Sequence, residues 1–368
     1  MSGRKPRVAV VFGGRSSEHS ISCISAGSLL KAIDREKYDV VPVGITAEGR
    51  WVLENPETNI LALGPAGELP TVTGAVEVAI GSRQEIVVQD AGSFPETLGE
   101  VDVVFPVMHG PWGQDGTLQG LLEMAGVRYV GAGVLSSAVG TDKVFMKRLF
   151  ESQGLPVLPY VVLTPRGWAT DQAALRKEIE ALGLPLFVKP ARAGSSFGIS
   201  RVDSLAELDA ALEEARRFDP KVVVEAAAVG AREIECGVLQ GFGSEPHLTS
   251  ELAEIRVDPH HQFYDFEAKY LPEENTALDV PAQVEPALAD EIRAMAAQAF
   301  DALDCEGLAR VDFFVFPGGR IVLNEVETMP GFTSLSMFPR MWAASGLDYP
   351  ALVDRLIRLA LARDTGLR

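Results

Sequence analysis

The chain has 368 residues, 47% of them hydrophobic and 23% charged, and 51 acidic against 33 basic residues give a net charge of −18. The length allows two or three domains with sizeable cores, and the composition is ordinary for a globular protein. A surface this acidic disfavours nucleic acid or an anionic membrane as the main partner.

Cysteine usage and hydropathy point to the cytoplasm. The three cysteines are far apart and form no C-x-x-C motif, so reduced thiols are expected. The apolar stretch near the N-terminus is too short for a signal-peptide core. No apolar run approaches the roughly 20 residues of a membrane span.

Strands alternate with helices in the first third of the chain. Residues 7–14 read as a buried strand ending in a glycine turn, 16–33 as a helix, and 38–45 as a second strand. Residues 46–100 are mixed and predict loops and short strands, before another buried strand at 101–110. This order predicts an open parallel α/β sheet.

Two polar residues of this first part follow strand ends. In open α/β sheets, ligands bind outside the carboxyl ends of the strands. Glu18 and His109 both lie just beyond such ends, so both are candidate site residues. A lone histidine is more often structural, which keeps both interpretations of His109 open.

A second unit is predicted from about residue 136. It contains a helix at 142–154, a strand at 184–190, a Gly/Ser-rich loop at 191–200 and a further helix at 205–218. Farther on, residues 256–276, here called the lid segment, are long, polar and aromatic. Loops of that length inside compact domains tend to be functional lids.

The stretch "ARVDFFVFPGGRIVLNEVE" predicts a β-hairpin. A two-residue loop formed by glycines 318–319 places Asp312 opposite Glu325 and Arg310 opposite Glu327, all on one face. Opposed carboxylates repel each other, and a cation removes that repulsion. Mg²⁺, which prefers oxygen ligands, is the expected cation. The alternative is a solvated sheet face without a ligand.

Lysines and carboxylates elsewhere suggest a nucleotide. Lys189 ends a strand just before the Gly/Ser-rich loop, whose N–H groups can face a phosphate. Lys143 lies near a helix start, and Lys269 lies in the lid segment, where closure would carry it toward a phosphate. Glu225 and Glu233 are placed to accept hydrogen bonds from an adenine amine or ribose hydroxyls. Ordinary surface or capping roles are the alternative for each.

In this order along the chain, several stretches together resemble the ATP-grasp superfamily and, within it, actinobacterial D-alanine–D-alanine ligases. They are "VAVVFGGRSSEHSIS", "VMHGPWGQDGTLQG", "GTDKVFMK", "VKPARAGSSFGIS", "YDFEAKY", "ARVDFF" and "LNEVETMPGFTSLS". The resemblance implies an N-terminal α/β domain (1–137) and two ATP-grasp subdomains (138–235, and 236–368 with the lid) that grip ATP between antiparallel sheets.

The resemblance also implies a two-step reaction. ATP phosphorylates the carboxylate of one D-alanine, and the amine of a second D-alanine attacks the acyl phosphate. The products are ADP, phosphate and D-alanyl-D-alanine, a peptidoglycan precursor. A cytoplasmic homodimer is implied as well.

Roles carried over by position fall on the amino-acid substrates and on the nucleotide. On the substrate side they are Glu18 for the first ammonium, Ser195 and Tyr270 linking Glu18 to the lid, His109 near the reacting groups, Arg310 and the Gly331 N–H for the tetrahedral oxyanion, and Ser336 with Met337 for the second carboxylate. On the nucleotide side they are Lys143, Lys189 and Lys269 for phosphates, Glu225 for adenine, Glu233 for ribose, and Asp312, Glu325 and Glu327 for two Mg²⁺ ions that Mn²⁺ can replace.

Two residues depart from the family pattern. The family usually has Asn where this chain has Glu327, and Glu where it has Gln114. Altered metal preference, in a specialised or drug-tolerant copy of the enzyme, is one hypothesis. A ligase that uses D-serine or D-lactate as second substrate is the runner-up, although Tyr270 resembles the Ala–Ala type. A nucleotide-binding regulatory protein without catalysis is the rival of another class.

Overall fold

The computed structural model describes residues 4–55, 68–80, 85–89, 96–257 and 276–365. These residues form three sheets with helices packed against them. No helix in these ranges is long and apolar enough to cross a membrane.

The first sheet is mixed rather than wholly parallel. Its strand order is β6-β5-β4-β3-β2-β1-β7, and β1, β2 and β7 run parallel while β2 to β6 pair antiparallel. A connection of only a few residues, such as the one between β2 and β3, cannot hold a crossover helix, so the strands that it joins pair antiparallel. The bounds are β1 Arg7–Gly13, β2 Asp39–Ile45, β3 Trp51–Leu53, β4 Glu77–Ile80, β5 Glu85–Gln89, β6 Glu96–Glu100 and β7 Val103–Val107.

The predicted helix after β1 is confirmed as α1 (His19–Ala32), and a second helix, α2 (Thr117–Ala125), follows β7. The central residues of β1 are fully buried, as expected for a strand that is covered on both faces. Because β1 and β7 are parallel neighbours, their carboxyl ends meet at one edge of the sheet. The loops that carry Glu18 and His109 therefore lie side by side.

The second sheet is antiparallel, in the order β10-β9-β11-β8. Asp142 caps helix α4, because its side chain accepts hydrogen bonds from the Val144 and Phe145 N–H groups at 3.1 and 3.3 Å. The bounds are α3 Val134–Thr141, α4 Lys143–Ser152, β8 Tyr160–Leu163, α5 Pro165–Thr170, α6 Gln172–Leu182, β9 Leu186–Pro190, β10 Ser200–Val202, α7 Leu208–Arg216 and β11 Val222–Ala226.

The third sheet is antiparallel, in the order β14-β13-β12-β15-β16. The last helix returns to pack on α1 and β7, so the first and third sheets share one apolar core. The bounds are β12 Arg232–Leu239, β13 Leu248–Val257, β14 Thr276–Asp279, α8 Pro286–Ala302, β15 Leu308–Val315, β16 Ile321–Glu327, α9 Met337–Ala344 and α10 Tyr349–Ala362.

The loop of the β15–β16 hairpin differs from the prediction. The Phe316 N–H donates to the Arg320 carbonyl at 2.9 Å, which leaves residues 317–319 as a three-residue loop. The predicted two-residue loop is therefore wrong. Gly318 and Gly319 both have φ of 87°, a left-handed conformation that glycine adopts without strain.

A β-bulge nevertheless restores the predicted register at the site. The register shifts by one residue after Asp312, and the additional residue on β16 is Asn324. The shift cancels the error in loop length. Asp312 is opposite Glu325 and Arg310 is opposite Glu327, as predicted.

Candidate functional site

Two cavities meet where the three sheets converge. The larger, about 410 Å³, lies between the second and third sheets, and the smaller, about 60 Å³, lies at the carboxyl ends of β1 and β7. Lys143, Arg310, Glu325 and Gly331 line both cavities, so the two form one continuous site. A volume of several hundred Å³ is typical of a cofactor-sized ligand.

Every predicted site residue within the described ranges lines one of these cavities. The larger one has Lys143, Lys189, Glu225, Glu233, Arg310, Asp312, Glu325, Gly331, Ser336 and Met337, and the smaller one has Glu18, His109, Ser195 and Glu327. Lys269 and Tyr270 lie outside the described residues.

Glu18 forms the acidic wall of the smaller cavity. It immediately precedes α1, is 6% exposed, and accepts a hydrogen bond from Ser195 Oγ. Ser195 has φ of 48°, which is uncommon for a residue other than glycine, so the Gly/Ser-rich loop bends sharply where it meets Glu18. Gly110 has φ of 74°, which favours glycine, and a Cβ atom there would displace the Glu18 carboxylate.

His109 connects three segments around this cavity. Its Nδ1 lies 3.2 Å from the Met329 carbonyl and its Nε2 lies 3.1 Å from Ser25 Oγ. A carbonyl only accepts, so Nδ1 carries the hydrogen and Nε2 accepts from the serine. Burial lowers the pKa of His109, against the influence of Glu18, and the ring is therefore neutral. This geometry fits a positioning role better than proton transfer.

Glu225 lies between two lysines in the wall of the larger cavity. It is 1% exposed, and one carboxylate oxygen lies 2.6 Å from Lys189 Nζ while the other pairs with Lys147. Burial opposes ionisation, but the two ammonium groups lower the pKa of Glu225 to about 2. An adenine amine that contacted this carboxylate would have to share an oxygen with a lysine.

Sequence reasoning missed Lys147. It lies one helical turn after Lys143 on α4, so both lysines face the same side of the helix. That spacing was the available signal. Its side chain is fully enclosed, and the structure makes it the second cation of the Glu225 cluster.

Lys143 lies on the boundary between the cavities. Its Nζ donates to the Ala193 carbonyl at 2.9 Å and lies 3.7 Å from a Glu325 oxygen. Its backbone N–H donates to the Ala191 carbonyl at 2.9 Å. The lysine therefore connects the Gly/Ser-rich loop to the carboxylates of β16.

Arg310 binds Asp312 in a bidentate contact. Its Nε and one terminal nitrogen lie 2.7 and 2.6 Å from the two Asp312 oxygens. Nε also lies 3.3 Å from Glu235, a carboxylate that the sequence analysis missed. Glu235 is two residues from Glu233 on β12, and this period of two was the available signal. Although burial acts against it, these carboxylates raise the pKa of Arg310 well above its usual value.

Glu327 has a raised pKa in this acidic cluster. Burial and, next, Glu325 raise the pKa of Glu327 to about 7, while Arg310 and Gln114 act in the opposite direction. The described residues contain no group of three or more His, Cys, Asp or Glu side chains arranged around a metal position. The donor set still fits a hard cation. The Asp312 and Glu325 carboxylates are opposed across the β15–β16 pair, and a positive charge would relieve their repulsion.

The raised pKa of Glu327 predicts a pH dependence of stability. Between pH 4.5 and about 7 the folded chain binds a proton at Glu327 that the unfolded chain has released. The free energy of unfolding therefore falls with rising pH, by up to about 3 kcal/mol, and this loss is complete above the folded pKa. Glu327→Gln should remove that contribution, so the variant should gain stability relative to the wild type at pH 8 but not at pH 4.5.

Urea unfolding of both proteins in EDTA at these two pH values measures the effect. EDTA keeps divalent cations from masking the repulsion. An equal stability difference at both pH values would contradict the assigned titration.

Family models match most of the chain. Residues 7–132 match the model described as D-ala D-ala ligase N-terminus, and residues 149–358 match the one described as D-ala D-ala ligase C-terminus. A protein called D-alanine–D-alanine ligase from Paenarthrobacter aurescens is 55% identical over 99% of this chain and 97% of its own length. One of the same name from Streptomyces griseus is 56% identical over 99% and 95%.

Solved structures show the same similarity. The VanG D-Ala:D-Ser ligase from Enterococcus faecalis has a TM-score of 0.82 and 36% identity, covering 97% of this chain and 100% of that one. The D-alanine–D-alanine ligase from Coxiella burnetii has a TM-score of 0.79 and 34% identity, covering 97% and 94%.

Proposed function

Because the chain belongs to the D-alanine–D-alanine ligase family, we propose that it joins two D-alanines into D-alanyl-D-alanine with the cleavage of ATP to ADP. The observation that carries this proposal is the pair of cavities with a shared wall. One cavity suits a nucleotide and the other a small amino acid, and the groups on the shared wall are those that a phosphoryl transfer between them requires.

The smaller cavity is proposed to hold the first D-alanine. The Glu18 carboxylate supplies a counter-charge for the substrate ammonium, and Ser195 and the Gly110 backbone fix its position. Bound there, the substrate carboxylate would face the shared wall formed by Lys143 and Glu325. Holding the two reactants at that boundary accounts for a large part of such catalysis.

The larger cavity is proposed to hold ATP. Lys143 and Lys189 would bind phosphate oxygens, with Lys269 of the lid added on closure, and Glu225 would orient Lys189 through their ion pair. Asp312, Glu325 and Glu327 would hold Mg²⁺, which when bound neutralises phosphate charge. Glu233 is proposed as the ribose contact and Glu225 as a neighbour of the adenine.

Arg310 and Gly331 are proposed to stabilise the tetrahedral oxyanion. A guanidinium has five N–H groups, and two of those of Arg310 bind Asp312, so others can serve an oxyanion. Arg310 also lines both cavities, which places it beside both reactants. The N-terminus of α9, at Ser336 and Met337, would receive the second carboxylate, because helix N-termini favour anions.

The remaining architecture is proposed on the same basis. The three sheets support a division into three parts, proposed at residues 1–137, 138–235 and 236–368 with 256–276 as the lid. Because β12 (Arg232–Leu239) pairs within the third sheet, the second boundary fits better just before Arg232. Family membership supports a homodimer in the cytoplasm, supplying peptidoglycan precursors. D-Serine is a second candidate acceptor, since the VanG D-Ala:D-Ser ligase resembles this chain over 97% of its length.

A coupled ADP-release assay tests the proposal. D-Alanine should trigger ADP release, and mass spectrometry should identify the dipeptide. Parallel reactions with D-serine and D-lactate, each across pH 6–9, separate the acceptors, because an amine must be deprotonated to attack whereas a hydroxyl acceptor gains at lower pH. ATP binding without D-alanine-dependent turnover would favour the regulatory alternative and refute the ligase.

A further inference from the structure

The two residues that depart from the family pattern contact each other. Gln114 lies in the loop after β7 and Glu327 ends β16, 213 residues farther along the chain, yet Gln114 Nε2 lies 2.8 Å from Glu327 Oε2. The Gln114 oxygen accepts the Gly110 N–H at 2.8 Å. A backbone N–H can only donate, so the amide oxygen must face Gly110 and the NH₂ group must face Glu327.

This orientation makes the identities of the two residues depend on each other. A carboxylate at position 114 would still accept the Gly110 N–H, but its second oxygen would meet the Glu327 carboxylate at hydrogen-bond distance. Two opposed carboxylates at that spacing repel strongly in a partly buried site. Glu at the first position and Asn at the second, which the family resemblance implies, would offer the same complementarity with the amide and the carboxylate exchanged. The two departures are one coupled change.

The Gln114–Glu327 pair also links the smaller cavity to the carboxylates of the third sheet. Gly110, which Gln114 holds, packs directly against the Glu18 carboxylate. Glu327 is opposite Arg310 on the adjacent strand. Thr141 Oγ1 donates to the Gln114 carbonyl at 2.9 Å and fixes the loop from its other side. The Gln114–Glu327 hydrogen bond thus connects the amino-acid cavity to the carboxylates of the third sheet.

We propose that Gln114 is a positioning residue that holds the Glu327 carboxylate in place for a divalent cation, and that this chain requires an amide at 114 because it has a carboxylate at 327. The metal-binding part of this inference rests on the proposed function. The pairing itself rests on the two hydrogen bonds of the Gln114 amide.

Exchanging the amide of Gln114 with the carboxylate of Glu327 is the decisive test. The variants are Gln114→Glu, Glu327→Gln and the double variant carrying both, which has the same charge and side-chain lengths as the wild type. Gln119→Glu is a matched control: Gln119 is 5% exposed and close to the same loop, but its amide donates to the Gly113 carbonyl instead of a carboxylate. Thermal unfolding in EDTA and Mn²⁺ binding by electron paramagnetic resonance with ADP present are measured at pH 8, where Glu327 is ionised. The wild type and these variants are compared with a sixth protein that carries both Gln119→Glu and Glu327→Gln.

Gln114→Glu should lower the melting temperature in EDTA. It should also weaken Mn²⁺ binding about tenfold, a size typical of coupling between contacting groups, because the repulsion would turn the Glu327 carboxylate away from its wild-type position. The double variant should recover most of both losses, whereas Glu327→Gln should not rescue Gln119→Glu. A structural role alone would change the melting temperature without changing the Mn²⁺ affinity. Additive effects of the two single changes on melting temperature and Mn²⁺ affinity would overturn the inference.

The two readouts also separate this inference from the proposed function. If the wild type failed to bind Mn²⁺ with ADP, the proposed metal site would fail and, with it, the cation-positioning role of Gln114. The melting temperatures in EDTA would still decide whether the two residues are paired. If the wild type bound Mn²⁺ but the exchange showed no coupling, only the present inference would fail.

Discussion

Replacing Arg310 by lysine should lower kcat for D-alanine-dependent ADP release by about 10²- to 10³-fold, the effect of losing a donor aimed at a developing oxyanion. The bidentate contact with Asp312 fixes the guanidinium plane on the wall shared by both cavities. A lysine keeps the charge but has no planar fork, so it cannot bind Asp312 and reach an oxyanion in the same geometry. The KM for ATP should change much less than kcat, since the loss falls on the transition state.

A second arginine of the same sheet provides the control. Arg232 binds Glu254 through two contacts of 2.8 and 2.7 Å, like the Arg310 pair, but it lines neither cavity. Arg232→Lys should therefore leave kcat close to the wild-type value. A kcat for Arg310→Lys within threefold of the wild type, with ADP release and unfolding measured on the same preparations, would remove Arg310 from the proposed chemistry.

Local patterns predicted the elements that carry the site, and they failed where distant parts of the chain meet. Alternation along β15 and β16 placed Asp312 and Glu325 on one face, but their predicted pairing is right only because the bulge offsets the wrong loop length. The loop length was wrong because local glycines permit either turn, and only the bulge, which depends on packing, restored the register. Periodicity on α4 could have indicated Lys147, since a lysine four residues away shares its face.

The contact between Gln114 and Glu327 had no local signal at all. Each residue was noticed because it departs from a family pattern, and their separation along the chain gives no reason to connect them. The fold brings them together because β7 and β16 both end at this site, on two different sheets. Packing between sheets is set by whole cores, which a pattern of nearby residues does not specify.

Replacing Lys147 by methionine should lower the free energy of unfolding by about 3 kcal/mol at pH 7, near the lower limit for removing one partner of a buried ion pair. Methionine keeps most of the chain length, so the loss reports the charge rather than a cavity. Glu225 would remain ionised and enclosed, with Lys189 as its partner, which is why the loss should stay near that limit. Without Lys147, the Glu225 carboxylate would pair with Lys189 alone. Lys189 should then bind phosphate less well, and the KM for ATP should rise.

The acid side of the stability curve distinguishes this cause from general disruption. The two ammonium groups lower the pKa of Glu225 from 4.5 to about 2, so the stability that they confer is complete above pH 4.5 and is lost as the pH falls toward 2. The gap between wild type and Lys147→Met should therefore narrow steadily between pH 5 and pH 2.5 in urea unfolding. Lys221→Met is the matched control, because its partner Asp142 keeps hydrogen bonds from two backbone N–H groups. This variant should lose less than half as much free energy of unfolding as Lys147→Met. A gap that stays constant across this pH range would mean that the buried lysine stabilises the fold by packing and not through the charge of Glu225.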